Sequence, residues 1–185
     1  MAKGFAAGTV SAATYVFFLG TLATCFGSTY YHLAPSDARL VYDRLGMIIC
    51  FAAIVAMLFE ERLDLHILPL LLVLGVASIV WWRVAGDLRP YGFVQFFPMI
   101  VIGVLLVTTK PRFTHSYALA IVGALYVLAK VFEQLDRPIY NALGLSGHTL
   151  KHVTAGVATV VVAWWVWRRT PLERAGSGRV GGAQM

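Results

Sequence analysis

Five side chains in this sequence pair chemical reactivity with a spacing that lets them act together: Ser28, His32, Asp43, His148 and His152. His148 and His152 stand four positions apart. On a helix that spacing puts both rings on one face, about 6 Å apart at Cβ, which suits two nitrogen ligands on one metal ion. Ser28 and His32 repeat the spacing, and Asp43 follows in the next apolar segment. Ionisable groups inside apolar stretches are costly and mark function. Three histidines with a carboxylate are the donor set of a catalytic zinc site, in which three protein ligands leave one position open for water.

Taken singly, each residue also has a plainer reading. An isolated HxxxH is a weak motif, and a histidine at a helix start can simply hydrogen-bond in the membrane interface. Arg39, one turn before Asp43, is placed for an ordinary i, i+4 ion pair. Ser28 can serve as a small residue for helix packing. Lys151, between the two histidines on another helix face, is expected to snorkel to the interface. Glu133 and Asp136, near Lys130 and Arg137, could support the site's ligands from behind, but a local charge network is the plainer account. His66 and His115 fall in loops at the opposite membrane face and carry no assigned role.

The elements that must position these groups are membrane spans. Of 185 residues, 59% are hydrophobic and 13% charged, and the mean hydropathy is +0.74. A soluble domain of this size cannot cover so much apolar surface. No Asp, Glu, Lys or Arg occurs between Lys3 and Asp37, nor from Pro90 to Thr109. Runs of that length approach or exceed the ~20 residues needed to cross a bilayer core. The pattern predicts helices over 9–33, 38–59, 65–84, 91–109, 114–133 and 146–168. Short connections carry the charges and breakers: Ala34 to Asp37, Glu60 to Arg62, Asp87 to Pro90, Lys110 to Arg112, and Asp136 to Pro138. Ser36 and Ser146 are expected N-caps, with Asp37 at the positive dipole end of its helix. Trp81 and Trp82, and Trp164, Trp165 and Trp167, suit interfacial aromatic belts.

Counting crossings gives the arrangement its force. The first helix ends on the face where the second begins, and the sixth begins there too. His32, Asp43, His148 and His152 are thereby brought to similar depth beneath one membrane surface, a coincidence that composition does not require.

Residues 1–169 read as a single transmembrane domain and 170–185, rich in Gly, Ser and Arg, as a disordered tail. Leu22 to Cys25 loosely matches a lipoprotein cleavage box, but the apolar run continues to Leu33, long enough to span. Cys25 and Cys50 fall within spans and read as buried thiols. The net charge of +6 does not point to nucleic acid, because the basic residues flank spans and do not form a patch. Lys3, Arg62, Lys110, Arg112, Arg168, Arg169, Arg174 and Arg179 share the side of the termini. Arg39, Arg89 and Arg137 lie in loops opposite, with Arg44, Arg83, Lys130 and Lys151 at helix ends. The positive-inside rule then places both termini in the cytoplasm and the site near the other face.

The stretch Gly27-Ser28-Thr29-Tyr30-Tyr31-His32-Leu33-Ala34-Pro35, followed by Asp43-Arg44-Leu45, resembles the bacterial alkaline ceramidase-like membrane proteins. So does Ser146-Gly147-His148-Thr149-Leu150-Lys151-His152. Asp87-Leu88-Arg89-Pro90-Tyr91 with Gln95-Phe96, and Leu128-Ala129-Lys130 with Glu133 and Asp136, are similar to further segments of that family. The resemblance runs from about Phe17 to Val166. Its combined pattern of SxxxH, D and HxxxH characterises the wider CREST group of membrane hydrolases, which includes alkaline ceramidases and the adiponectin and progestin receptors.

The resemblance implies a seven-helix bundle with an intramembrane zinc, of which this chain has six helices and lacks the first. It implies His32, His148 and His152 as the zinc ligands. Asp43 would hold and activate the water, with Ser28 beside it as a polar partner or oxyanion stabiliser. In alkaline ceramidases the N-terminal region supplies carboxylates for a calcium site; here no acid precedes the first helix, so no such site is expected. The implied reaction is hydrolysis of a lipid acyl bond, an amide such as ceramide being the family's expectation and another N-acyl or O-acyl lipid close behind. The alternatives are a receptor-like or structural protein in which the metal only ties helices together, and a b-type haem protein. Haem with two axial histidines needs them on opposite sides of one ring, whereas His148 and His152 share a helix face.

Overall fold

Apolar segments of this length become helices because a bilayer core offers backbone N–H and C=O groups no other partner. The computed structural model describes residues 10–172. Along the chain these form α1 (Ala12–Leu33), α2 (Asp37–Leu63), α3 (Leu68–Ala85), α4 (Arg89–Thr108), α5 (Tyr117–Gln134), α6 (Asp136–Leu143) and α7 (Gly147–Arg168). All but α6 are long and apolar enough to cross a membrane. No strand forms among the described residues, where a single isolated bridge joins Phe113 to Pro171. The protein is an all-α, multi-pass transmembrane bundle, as its composition predicts.

Helix starts follow the expected chemistry. The Ser36 hydroxyl accepts from Arg39 N–H at 3.3 Å, with Asp37 in the first turn. The Ser146 hydroxyl accepts from His148 N–H at 3.1 Å. Caps of this kind contribute about 1 kcal/mol each.

Two elements depart from the sequence reading. Helix α2 continues past residue 59 to Leu63, so Glu60, Glu61 and Arg62 are helical and do not form a connecting loop. Glu61 and Arg62 are both buried and satisfy one another through an ion pair at 2.5 Å. Glu61 also accepts from the Ser116 hydroxyl at 2.6 Å, and Arg62 donates to the Thr109 carbonyl at 2.8 Å. Charges neutralised against protein in this way do not stop a helix. The second departure is α6, an eight-residue helix where Asp136-Arg137-Pro138 was expected to be a connection. Pro138 is its third residue, within the first turn, where a missing N–H breaks no intrahelical bond.

Helices α1 and α2 form the closest seam. A Cβ on Gly27 would strike the Tyr42 carbonyl, and one on Gly46 would strike the Thr24 backbone. Glycine at both positions lets the two backbones approach as small residues do in membrane interfaces. Helix α2 then packs on α3 and α4, α4 on α5, and α5 on α7, while α6 rests against α5 and α7. Helices α1 and α7, the first and last staves, do not pack along their lengths.

The main core gathers Phe17, Ile54, Leu58, Leu119, Val162 and Trp165 toward the end where the chain enters α1 and leaves α7. A smaller core of Ile48, Ile79, Trp82 and Tyr91 lies toward the other end. Trp82 and Trp165 are thus packed into protein instead of lying in interfacial belts. Trp81, Trp164 and Trp167 keep large exposed faces. Residues 170–172, which the sequence reading places in a disordered tail, are held against the segment before α5. Thr114 N–H donates to the Thr170 carbonyl at 2.9 Å, and Leu172 N–H donates to the Arg112 carbonyl at 2.8 Å. The remainder of the tail, 173–185, lies outside the described residues.

Candidate metal centre

The crossing count is realised in three dimensions. The C-terminal end of α1, the N-terminal end of α2 and the N-terminal end of α7 meet, and His32, His148 and His152 converge there. Their candidate ligand atoms all lie within 4.8 Å of one another. His148 Nε2 is 3.2 Å from His32 Nε2 and 3.0 Å from His152 Nε2. Nitrogens bound tetrahedrally to zinc at ~2.0–2.1 Å stand about 3.3 Å apart; two of the three separations are close to that, so the three histidines could hold one metal ion. A cluster converging on one point leaves no room for a macrocycle between any two rings, which argues against bis-histidine haem. His32 and His152 are exposed and His148 is half-buried, so one side of the cluster is accessible.

Support for the start of α7 comes from α6, a helix that sequence reasoning missed. Asp136, its first residue, accepts from His148 N–H at 2.9 Å and from the Ser146 hydroxyl at 2.7 Å. These bonds, the His148 amide foremost, hold the Asp136 carboxyl below the usual carboxylate range. Asp136 is thus a positioning group for the first turn of α7, and its link to Ser146 explains why the short helix is present. Gly147 sits where a Cβ would strike the Phe132 carbonyl, which lets the start of α7 press against the end of α5. The sequence signals for α6 were the acid–serine pair bracketing a segment too short to span and the amphipathic spacing of its apolar residues.

Asp43 is half-buried on α2 and lies within electrostatic range of His152. The alternative pairing with Arg39 does not form. The Arg39 guanidinium sits 4.4 Å above the Tyr30 ring and donates to the Tyr30 carbonyl at 3.3 Å. Arg44, the next residue after Asp43, stacks between Trp82 at 4.2 Å and Tyr91 at 4.7 Å. Ser28 is buried, and its hydroxyl has no hydrogen-bond partner among the described residues. A buried hydroxyl without a partner carries an uncompensated desolvation cost, which a purely packing serine does not explain.

Lys151 does not snorkel outward. Its Nζ lies 2.9 Å from Glu133 Oε1, and Lys130 Nζ lies 2.5 Å from Glu133 Oε2. The two ammonium groups share one carboxylate beside the histidines. Asp43, Lys130, Glu133, Lys151 and His152 rim an internal cavity of about 420 Å³. Deeper in, its walls are apolar, with Phe17, Phe51, Ile54, Ile102 and Val122 among the lining residues. A larger hollow of about 690 Å³ lies far from this chemistry, on the outer face of α3, lined from Leu72 to Val84 by that helix alone. His66 lies between α2 and α3 and His115 before α5, both at the opposite end. The His115 ring packs 5.4 Å from Trp164.

The arrangement offers three convergent nitrogens, a nearby carboxylate, an unpartnered hydroxyl and an apolar chamber beneath them. Compared with models of protein families, with curated proteins and with solved structures, the chain finds no significant match.

Proposed function

We propose that this protein is a zinc-dependent intramembrane hydrolase of a lipid acyl bond, with a ceramide-like N-acyl lipid as the first candidate substrate. The observation that carries the reading is the convergence of His32, His148 and His152 at the rim of a cavity that is polar at its mouth and apolar below. The donor set fits: three imidazole nitrogens within 4.8 Å of one another, two of the separations being 3.0 and 3.2 Å, are a ligand set of catalytic zinc sites. The resemblance to alkaline ceramidase-like proteins supports the same assignment.

Zinc held by these histidines supplies an acidified water and a Lewis acid for the acyl carbonyl. The chain's own groups do the rest. Asp43 takes the proton of the attacking water as its oxygen bonds to the carbonyl carbon. It returns that proton to the leaving nitrogen as the carbon–nitrogen bond breaks, giving a fatty acid and an amine. Ser28 offers its unpartnered hydroxyl to the developing negative oxygen. Glu133 fixes Lys130 and Lys151 beside the site, where they favour polar or anionic head-group atoms. The apolar chamber accepts the acyl chain and excludes water from it.

Lys3, Lys110, Arg112, Arg168, Arg174 and Arg179 flank the spans at the end of the chain termini. Arg62 and Arg169 are buried within protein and do not count as loop charges. With Arg39, Arg83, Arg89 and Arg137 opposite, the positive-inside rule favours cytoplasmic termini in a bacterial inner membrane, with the site near the other face.

One observation favours a second reading. Because α1 and α7 pack little along their lengths, the histidine cluster ties two staves that among the described residues otherwise share only the apolar core at the far end, as a structural metal would. Asp43→Asn separates the two. The hydrolase reading expects full metal content and loss of lipid-amide turnover. A variant that hydrolyses as well as the wild type removes Asp43 from the reaction, whereas a metal-replete wild type that turns over no lipid amide or ester favours the structural reading.

A further inference from the structure

We infer that the lipid acyl chain reaches the internal chamber sideways from the bilayer, through the seam between α1 and α7 that the described residues leave open. The chamber is lined by both helices, from Phe17, Thr21, Thr24 and Cys25 on one side to His152, Ala155, Gly156 and Thr159 on the other. Those helices do not pack on one another along their lengths. Cys25, Ala155 and Gly156 line the chamber and are exposed, not sealed behind a neighbouring helix. The opening therefore lies at mid-helix, below the histidines. Small side chains border it on α7, and a Cβ placed on Gly156 meets nothing within 4 Å.

The borders of the opening are also defined. Above it, the histidine contacts bridge α1 to α7. Below it, Phe17, Ile54, Leu58 and Val162 belong to one continuous core that closes the floor. Outside, the flanking side chains Leu22, Phe26, Val153 and Val157 are apolar and exposed, so the seam meets hydrocarbon.

The chemistry of the two routes selects between them. Passage through the mouth would draw an acyl chain out of the bilayer and across Asp43, Lys130, Glu133 and Lys151. Passage through the seam moves it from hydrocarbon to an apolar wall without crossing a charge. The head group then stays at the polar rim, which places the bond between head group and chain at the histidine cluster. The inference rests on the hydrolase reading only for the identity of that bond; the route of the chain stands on the cavity and the packing.

The test uses full-length protein in vesicles doped with a phospholipid carrying a photoactivatable diazirine on its acyl chain, with labelled residues mapped by mass spectrometry. Wild type is expected to label at the interior residues Thr24 and Met47, as well as on the outer face of α3. Gly156→Trp, whose ring fills open space in the seam, is expected to lose the interior labels while keeping the α3 labels and wild-type metal content. Ala155→Phe serves as a second variant should the tryptophan disturb folding, and Gly92→Ala, remote from the seam, should leave labelling unchanged. Interior labels that persist in both well-folded seam variants overturn the proposed route. Absence of interior labels in wild type overturns occupation by an acyl chain. Cross-linking of two chains through Cys25 under mild oxidant would show that a second copy covers the seam and would also overturn the inference. Interior labelling without turnover of any lipid would instead mark failure of the hydrolase reading alone.

Discussion

His32 and His148 stand at opposite ends of the sequence, yet their Nε2 atoms lie 3.2 Å apart. Two separate close approaches make this possible. Glycine 27 lets α1 settle onto the backbone of α2 at Tyr42, and glycine 147 lets the start of α7 settle onto the end of α5. The site thus depends on backbone proximity at two seams, neither of which contains a ligand.

The first consequence concerns Gly27. Gly27→Ala places a methyl group against the Tyr42 carbonyl and Asp43 amide, which cannot move without shifting α2. Overpacking of this kind costs about 1–3 kcal/mol, read as a lower unfolding midpoint in detergent. Gly92→Ala, where a Cβ meets nothing within 4 Å, is expected to leave the midpoint unchanged or raise it.

Glu61 and Arg62 tie the other end of the bundle. Glu61→Gln leaves the Arg62 guanidinium buried without its carboxylate, at a cost of about 3–5 kcal/mol. Replacing both residues together with leucine should recover much of that loss. Metal binding should survive in whatever fraction folds, because the pair lies at the end of α2 remote from Asp43. Thermal unfolding followed by metal analysis of the folded fraction checks both statements.

Asp136 makes stability depend on acidity in a defined direction. Its carboxyl is held below the ordinary value by the His148 amide and the Ser146 hydroxyl, so folding favours the ionised form. That contribution is fully present above the unfolded value of about 4 and is lost as pH falls through the lowered folded value. Asp136→Asn keeps an acceptor but removes the titration. The difference in stability between wild type and variant is therefore expected to shrink on acidification, as measured by unfolding at a series of pH values.

Much of this was legible in the sequence because membrane burial imposes simple rules. Spans follow from charge-free runs, and the parity of crossings alone brought His32, Asp43, His148 and His152 to one end. What escaped was set by side-chain pairing. Glu61 and Arg62 read as loop residues because their mutual neutralisation depends on Ser116 and Thr109, distant in the chain. Lys151 read as a snorkelling cation because its partner Glu133 lies on another helix. Helix α6 escaped because its Asp136-Arg137-Pro138 start carries the charges and breaker of a connection, and eight residues are too few to span. The competing Arg39–Asp43 pairing was plausible by spacing, and it loses to the Tyr30 ring and carbonyl, which only the folded end of α1 presents.

The central claim is tested most directly by metal content. Detergent-purified wild type, loaded with zinc and passed through a desalting column, is predicted to retain about one ion per chain at the three-histidine site. His148→Ala, folded to the same extent by circular dichroism, is predicted to retain almost none. A well-folded wild type that holds no zinc after loading, or a His148→Ala variant that holds as much as the wild type, would contradict the account.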